Sequence, residues 1–236
     1  RNLTYITSSD AHSPAPNKLG REFVRFKMEL PSFEELKLAI MRQRNRKSVL
    51  NVGLNPRLGK YYRSFCSHCR RTLILGTGEG PPSFDELNIY INCVTASEKK
   101  RLLEDIHGRK VLCPSDGKKL RLGVRDRVAA IGEGVSKPPD HRPPYLHIAP
   151  LLDIVALSLD VKTTSSKAVR NLYDEMRNCF GPETIILTET SLDAIREVNE
   201  RVSLIINKYR NKSIGYIDGG GGRYGQLIPP WESQVS

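Results

Sequence analysis

Two cysteine turns constrain this 236-residue chain more than any other feature: Cys66-Ser67-His68-Cys69, and later Cys113-Pro114-Ser115-Asp116. A tight CxxC turn aims both sulfurs at one point, and a second turn facing it is a common way to hold tetrahedral zinc. Here the second turn is CxxD. The fourth ligand is therefore open between Asp116, a histidine (His68 or His107), water and nothing. The competing reading is a set of cysteines that holds no metal. Cys93 is a substitute ligand, but its alternating segment Glu86–Val94 reads as a strand with a buried thiol. Residues 59–125 are accordingly expected to form a small metal-bound module of short elements.

Five cysteines, an odd and modest number, do not suit a disulfide framework, and a reducing, cytoplasmic setting fits them better. No uncharged run reaches membrane-spanning length, and no basic start leads into an apolar stretch with a cleavage site, so no membrane partner is expected. The chain opens on Arg rather than Met, which suggests a piece of something longer.

The formal charge of +11 is unevenly spread. Residues 1–150 carry 27 basic and 15 acidic side chains, while residues 151–236 carry 10 and 11. From Leu36 to Gly78 ten cations (Lys37, Arg42, Arg44, Arg46, Lys47, Arg57, Lys60, Arg63, Arg70, Arg71) meet no acidic residue. Such a block is a field for polyanions, most often nucleic acid; the plainer alternative is a solvated basic surface.

Hydrophobic patterning gives the organisation. The opening Leu3–Ser9 reads as a short strand ending at Asp10. A helix is expected from Ser32 to Arg44, started by the Ser32/Glu35 capping box and burying Phe33, Leu36, Ala39 and Ile40. Residues 48–54 read as a second strand, and strand–helix–strand suits one edge of a β/α barrel. Within the cysteine region come a Gly/Pro-rich break (76–82), a helix closed by Gly108, and a turn at 113–117 returning into a strand. Five prolines between Lys137 and Pro150 mark a stiff connection. Beyond it, helices are expected over 150–159 and 165–179, the latter with Ala168, Val169, Leu172, Tyr173 and Met176 on one face. Glu183–Glu189 reads as an apolar strand, Ser191–Tyr209 as one long helix, and 214–228 as two short strands around a glycine turn.

Three further constellations bear on chemistry. Asp10 and His12 follow the first strand at i and i+2, so in extended backbone both project from one side. At the C-terminal rim of a barrel they would offer a carboxylate and an imidazole to zinc, manganese or iron; a capping Asp beside an exposed His is the simpler alternative. Tyr61, Tyr62 and Phe65 interleave with Lys60, Arg63, Arg70 and Arg71, a mixture suited to locally unpaired nucleic acid, although Phe65 is better explained by packing. The Asp218–Gly225 turn has five glycines and no GK[ST], so it reads as a flexible hairpin rather than a phosphate loop, with Tyr224 the side chain to test. Nucleophilic catalysis finds no support: no GxSxG occurs, and Cys179 falls on the expected core side of its helix.

Five stretches together resemble the endonuclease Q family, whose catalytic domain is of the PHP (polymerase and histidinol phosphatase) class. SDAHSPAPNKLGREF (9–23) resembles its last PHP metal motif, and GKYYRSFCSHC (59–69) its GKYH segment and zinc knuckle. CPSDGKKLRLGVRDRV (113–128) is similar to its CPxCGxxLTxGVxxRV stretch, RPPYLHIAPLLDIV (142–155) to its PPY…PL segment, and IDGGGGRYGQLI (217–228) to its DGxYGxI ending. Three departures stand out. Asp116 replaces a cysteine, Tyr62 stands where GKYH has His, and the upstream H-x-H motif has no counterpart among His12, His68, His107, His141 and His147.

The resemblance implies an α/β chain with four parts: the end of a PHP barrel (1–58), a zinc-ribbon-like module (59–136), a Pro-rich linker (137–150) and a C-terminal α/β domain (151–236). It implies a DNA repair endonuclease that nicks damaged or locally unpaired DNA 5′ of uracil or hypoxanthine. Asp10 and His12 would be catalytic ligands of divalent ions (Zn, Mn or Mg). Cys66, Cys69 and Cys113, with Asp116, would hold structural zinc. Lys60, Tyr61, Arg63, Arg70, Arg71 and Tyr224 would meet nucleic acid. The alternatives are a non-catalytic zinc-containing DNA-binding protein and a PHP-type small-molecule phosphatase.

Overall fold

The structure, a computed structural model, describes residues 3–15, 18–76, 83–84, 86–132 and 138–232. Most of the expected Gly/Pro break, residues 77–82, lies outside them. Ten strands and eight α-helices occur among the described residues: β1 (Phe23–Lys27), α1 (Phe33–Met41), β2 (Lys47–Gly53), β3 (Phe65–Cys66), β4 (Thr72–Gly76), β5 (Ser83–Phe84), β6 (Asn88–Asn92), α2 (Ala96–His107), β7 (Leu120–Arg121), α3 (Val124–Ile131), β8 (Tyr145–His147), α4 (Leu151–Ser158), α5 (Lys167–Phe180), α6 (Glu183–Thr188), α7 (Leu192–Val198), α8 (Glu200–Arg210), β9 (Gly215–Ile217) and β10 (Gln226–Ile228). The fold is mixed α/β. It divides into two compact units, one of residues 1–55, 138–215 and 228–236, the other of 56–137 and 216–227.

In the first unit β2 is the middle of a three-stranded sheet, antiparallel to β1 (Phe23 opposite Val52) and parallel to β8 (Asn51 opposite Tyr145). The proline-rich stretch, expected as a linker, thus contributes a strand. Ser32 caps α1, its hydroxyl accepting from the Glu35 N–H at 3.2 Å. Glu35 does not close the box; its carboxylate accepts from Arg46 Nε at 2.8 Å and from the Glu29 N–H at 2.9 Å. The expected buried face is narrower than read, because Ala39 is buried while Phe33 and Ile40 are exposed. Leu3–Ser9 is not a strand. The segment is tied down by single bonds, Asn51 Nδ2 to the Tyr5 carbonyl and Thr7 Oγ1 to the Phe23 carbonyl, with no ladder.

The elements between residues 151 and 210 are all helices, so the strand expected at Glu183–Glu189 is absent, while β9 and β10 follow them. The apolar run Thr184–Leu187 lies in α6, not a strand. A short buried run does not by itself distinguish the two, and Pro182 starts a helix. Arg210 then donates to the carbonyls of Ile186, Leu187 and Thr190, satisfying the end of α6. At the other end the Glu183 carboxylate accepts the Leu151 N–H at 2.7 Å, closing the start of α4, and receives Tyr173 Oη at 3.2 Å. The long helix from Ser191 breaks at Asn199, whose extended backbone ends α7 and whose Oδ1 caps α8 through the Val202 N–H at 2.9 Å. Ile154, Val169, Met176, Ile195 and Ile205 are fully buried between these helices. Each contributes about 1.5–3 kcal/mol by burial. Cys179, expected on the core side, is exposed: Val169, Tyr173 and Met176 set the buried stripe of α5, and Cys179 falls outside it.

The second unit is built on a five-stranded sheet in the order β5-β6-β4-β3-β7. β4 and β6 are parallel, Thr72 opposite Asn88, and β3 is antiparallel to β4 and β7. Cys66, Leu73, Ile89, Ile106, Cys113 and Leu120 form its core. Thr95 and Glu98 make a full capping box at the start of α2. A buried Asp126 on α3 accepts from Ser64 Oγ at 2.6 Å, and Ser64 in turn accepts from the Gly123 N–H at 3.0 Å.

Candidate metal centre and basic cleft

β3 ends in the first cysteine turn, and the second precedes β7, so the β3–β7 pairing of Cys66 with Leu120 brings the turns face to face. Gly117, in the left-handed region at φ +68, lets the second turn close. Cys66, Cys69, Cys113 and Asp116 then place one ligand atom each within 4.8 Å of one another. Among the described residues this is the one group of three or more His, Cys, Asp or Glu side chains that can share an ion. Cys93 is buried outside it.

The spacing suits a tetrahedron. Two sulfurs ~2.3 Å from a central zinc lie ~3.8 Å apart, and a sulfur and an oxygen ~3.6 Å apart. The Cys69 and Cys113 sulfurs are 3.8 Å apart, and the Cys66 sulfur is 3.4 and 3.5 Å from the two Asp116 oxygens. Asp116 is held by the Lys118 N–H at 2.9 Å and by His68 Nδ1 at 3.0 Å. The backbone bond and its thiol and histidine neighbours keep the Asp116 carboxyl well below the usual carboxylate range. Burial pushes the Cys66 thiol up to about 12. Burial also acts upward on Cys69, but hydrogen bonds from Ser115 and the Arg71 N–H outweigh it and hold that thiol at about 7.

Asp10 and His12 lie elsewhere, in the other unit. Their expected extended geometry is not present: Asp10 has φ +45, and both side chains are about nine-tenths exposed, with His12 Nε2 3.7 Å from Asp10 Oδ2. The gap is one that two ~2.1 Å bonds to a single ion can span.

The aromatic–basic residues gather around the glycine turn. Lys60 Nζ stands 5.2 Å from the Tyr61 ring centre and 5.8 Å from that of Tyr224. Tyr61 stacks on the buried Phe65 at 5.4 Å. Arg63 pairs with Asp218 at 2.6 Å, Arg71 donates to Ser115 Oγ at 2.9 Å, and Arg70 is exposed at φ +62. The turn is not a flexible hairpin. Its backbone is laced to residues 57–63 by Gly219 N–H to the Arg57 carbonyl, Gly222 N–H to Lys60, Gly225 N–H to Leu58, and Arg63 N–H to Gly219. Gly221, at φ +60, lies so close to the Arg70 carbonyl that a Cβ would collide with it. Arg57, Asp218, Tyr216 and Arg223 complete this region. In the sequence Arg57 and Asp218 stand out only as part of the basic block and of the glycine turn, and their pairing was not foreseen, because the two lie 161 residues apart.

A module with three thiols and a carboxylate, continuous in chain with a sheet-and-helix unit, defines a class of mixed α/β proteins carrying a cysteine–aspartate cluster that can share an ion. A family model described as the MJ0043 C-terminal domain matches residues 150–213, the span of α4–α8. The chain is 30% identical over 232 residues to the uncharacterized protein MJ0043 of Methanocaldococcus jannaschii, covering 96% of this chain and 26% of that one. It is 29% identical over 227 residues to the uncharacterized protein YqxK of Bacillus subtilis, with 95% and 46% covered. It is similar to the crystal structure of the lesion-specific endonuclease PfuEndoQ from Pyrococcus furiosus, with a TM-score of 0.77, 36% identity, and 99% of this chain and 51% of that chain covered. It is also similar to endonuclease Q in complex with a 27-mer duplex substrate with an abasic lesion at the active site, with a TM-score of 0.72, 35% identity, and 99% and 52% covered. Over nearly its whole length the chain is similar to endonuclease Q. It spans about half or less of the length of these relatives.

Proposed function

We propose that this chain is part of a metal-dependent DNA repair endonuclease that nicks DNA on the 5′ side of deaminated bases such as uracil and hypoxanthine. The observation that carries this reading is the likeness to a lesion-specific endonuclease over 99% of the chain at 36% identity. The cysteine cluster and the basic, aromatic surface of the second unit support it, and so does the neighbour solved with a damaged duplex.

In this reading residues 1–58 belong to a PHP-type barrel, residues 59–136 to a zinc-binding module and residues 151–236 to a C-terminal domain, with 137–150 between them. Cys66, Cys69, Cys113 and Asp116 hold zinc, and their tetrahedral spacing and soft donor set fit that ion. Asp10 and His12 supply one carboxylate oxygen and one imidazole nitrogen to a divalent-ion centre, with further ligands drawn from the length that the longer relatives have beyond this chain. Divalent ions bound there would generate hydroxide and stabilise the leaving oxygen. The chain's own task is to hold the ligands at the strand and to grip phosphates with Lys60, Arg63, Arg70 and Arg71, while Tyr61 and Tyr224 meet bases exposed by weak pairing.

A nicking assay on uracil- and hypoxanthine-containing duplexes, comparing this chain with one extended to the relatives' length, tests the reading. The extended chain should nick 5′ of the lesion with Mg, Mn or Zn, and Asp10→Asn should abolish nicking while leaving binding intact. No nicking by the extended chain under any of these ions would refute it.

A further inference from the structure

The glycine turn and the strands beside it enclose a cavity of about 460 Å³ within the second unit, in the ~300–1,000 Å³ range of ligand sites. Ile74 and Leu87 give it apolar wall, and Asn88 and Gln226 give it amides. Three guanidinium groups, Arg57, Arg63 and Arg223, line it against a single carboxylate. That carboxylate, Asp218, bonds both Arg57 and Arg63, and these cations hold its carboxyl below the usual carboxylate range against the effect of burial. The cavity therefore keeps an excess of positive charge, with two of its arginines fixed in orientation. Arg57 is also laid over the Tyr216 ring at 5.2 Å.

At its edge stands Tyr224, 71% exposed. A ring this exposed on a loose loop would mean little. Here the backbone on both sides is hydrogen-bonded to residues 57–63, and Lys60 holds a cation 5.8 Å from the ring. A rigidly presented aromatic face beside a positive, partly apolar cavity matches the chemistry of a nucleotide whose base is out of its stack: base on ring, phosphate on guanidinium. A paired duplex offers phosphates but no free base face.

We infer that this cavity, with Tyr224 as its stacking platform and Arg223 as its exposed phosphate donor, takes an unstacked nucleotide from a locally unpaired DNA strand. The inference rests on the DNA reading above and adds to it a site for gripping the strand that is built from residues of the second unit alone.

Anisotropy titrations of the 236-residue chain on a fully paired duplex and on the same duplex with a central unpaired bubble test it. The bubble should bind more tightly. Tyr224→Ala should lose about tenfold on the bubble and change little on the paired duplex, and Tyr224→Phe should restore the difference. A 5-iodouracil placed in the bubble should photocrosslink to Tyr224 of the unaltered chain. Equal affinity for both duplexes, an equal loss on both, or no crosslink at Tyr224 overturns the inference while the DNA reading stands. No binding to either duplex overturns both.

Discussion

At the proposed zinc site Asp116 stands where a fourth thiol would close the tetrahedron, and its surroundings suit a carboxylate to that place. Its oxygens are held by the Lys118 N–H and by His68 Nδ1, so the anion is in place before any ion arrives. Cys66 is the opposite case, since burial keeps its proton on until a cation displaces it. Zinc uptake at the proposed site should therefore release protons, and its affinity should fall as pH falls. Removing the partner that orients a ligand costs ~10–100-fold in metal affinity. His68→Ala is expected to show that loss in competition with a chromophoric chelator. Asp116→Ala should lose more, and Asp116→Cys should retain the metal. Unchanged affinity in Asp116→Ala would show that the carboxylate is not a ligand.

Elements held by a local signal were legible in the sequence; those held by distant partners were not. The Ser32 cap, the Gly108 stop and the turn at 113–117 all use neighbours within a few residues, and all form. The cysteine cluster was legible for the same reason, because each half is a tight turn. The helix at 183–188 was missed because its last carbonyls are satisfied by the distant Arg210, which no local pattern reveals. The glycine turn was misjudged likewise: its glycines serve contact with residues 57–70, not flexibility. A graded pair of substitutions checks this. Gly117 has φ +68 with nothing within 4 Å of a new Cβ, so Gly117→Ala should cost only the left-handed penalty of ~1 kcal/mol. Gly221 adds a collision with the Arg70 backbone, so Gly221→Ala should cost about 3 kcal/mol. Denaturant unfolding of the two variants measures the difference, and equal losses would mean the turn yields freely.

At the scale of the molecule, the basic block loses its apparent unity. Its ten cations fall in two units, five in each, and several meet acids outside the block: Arg46 meets Glu29 and Glu35, and Arg57 and Arg63 meet the distant Asp218. The 94 residues of the second unit carry 17 Lys and Arg against 10 Asp and Glu, a net +7 of the total +11. The positive field is thus concentrated on the module that carries the cysteine cluster. The two units also differ in what stabilises them. The first has a core of large aliphatic side chains along α4–α8, whereas the core of the second includes two of the proposed zinc ligands, Cys66 and Cys113. Where ligands are part of the core, metal-binding free energy becomes folding free energy. Chelation should therefore unfold the second unit and leave the first folded. Of the 75 residues in described α-helices, 20 belong to α2 and α3 in the second unit. A strong zinc chelator should accordingly remove about a quarter of the helical ellipticity at moderate temperature, with the rest melting in a separate, chelator-independent transition. Readdition of zinc should restore the first step. A single transition that does not move with chelator would show that the cluster contributes nothing to the stability of its module.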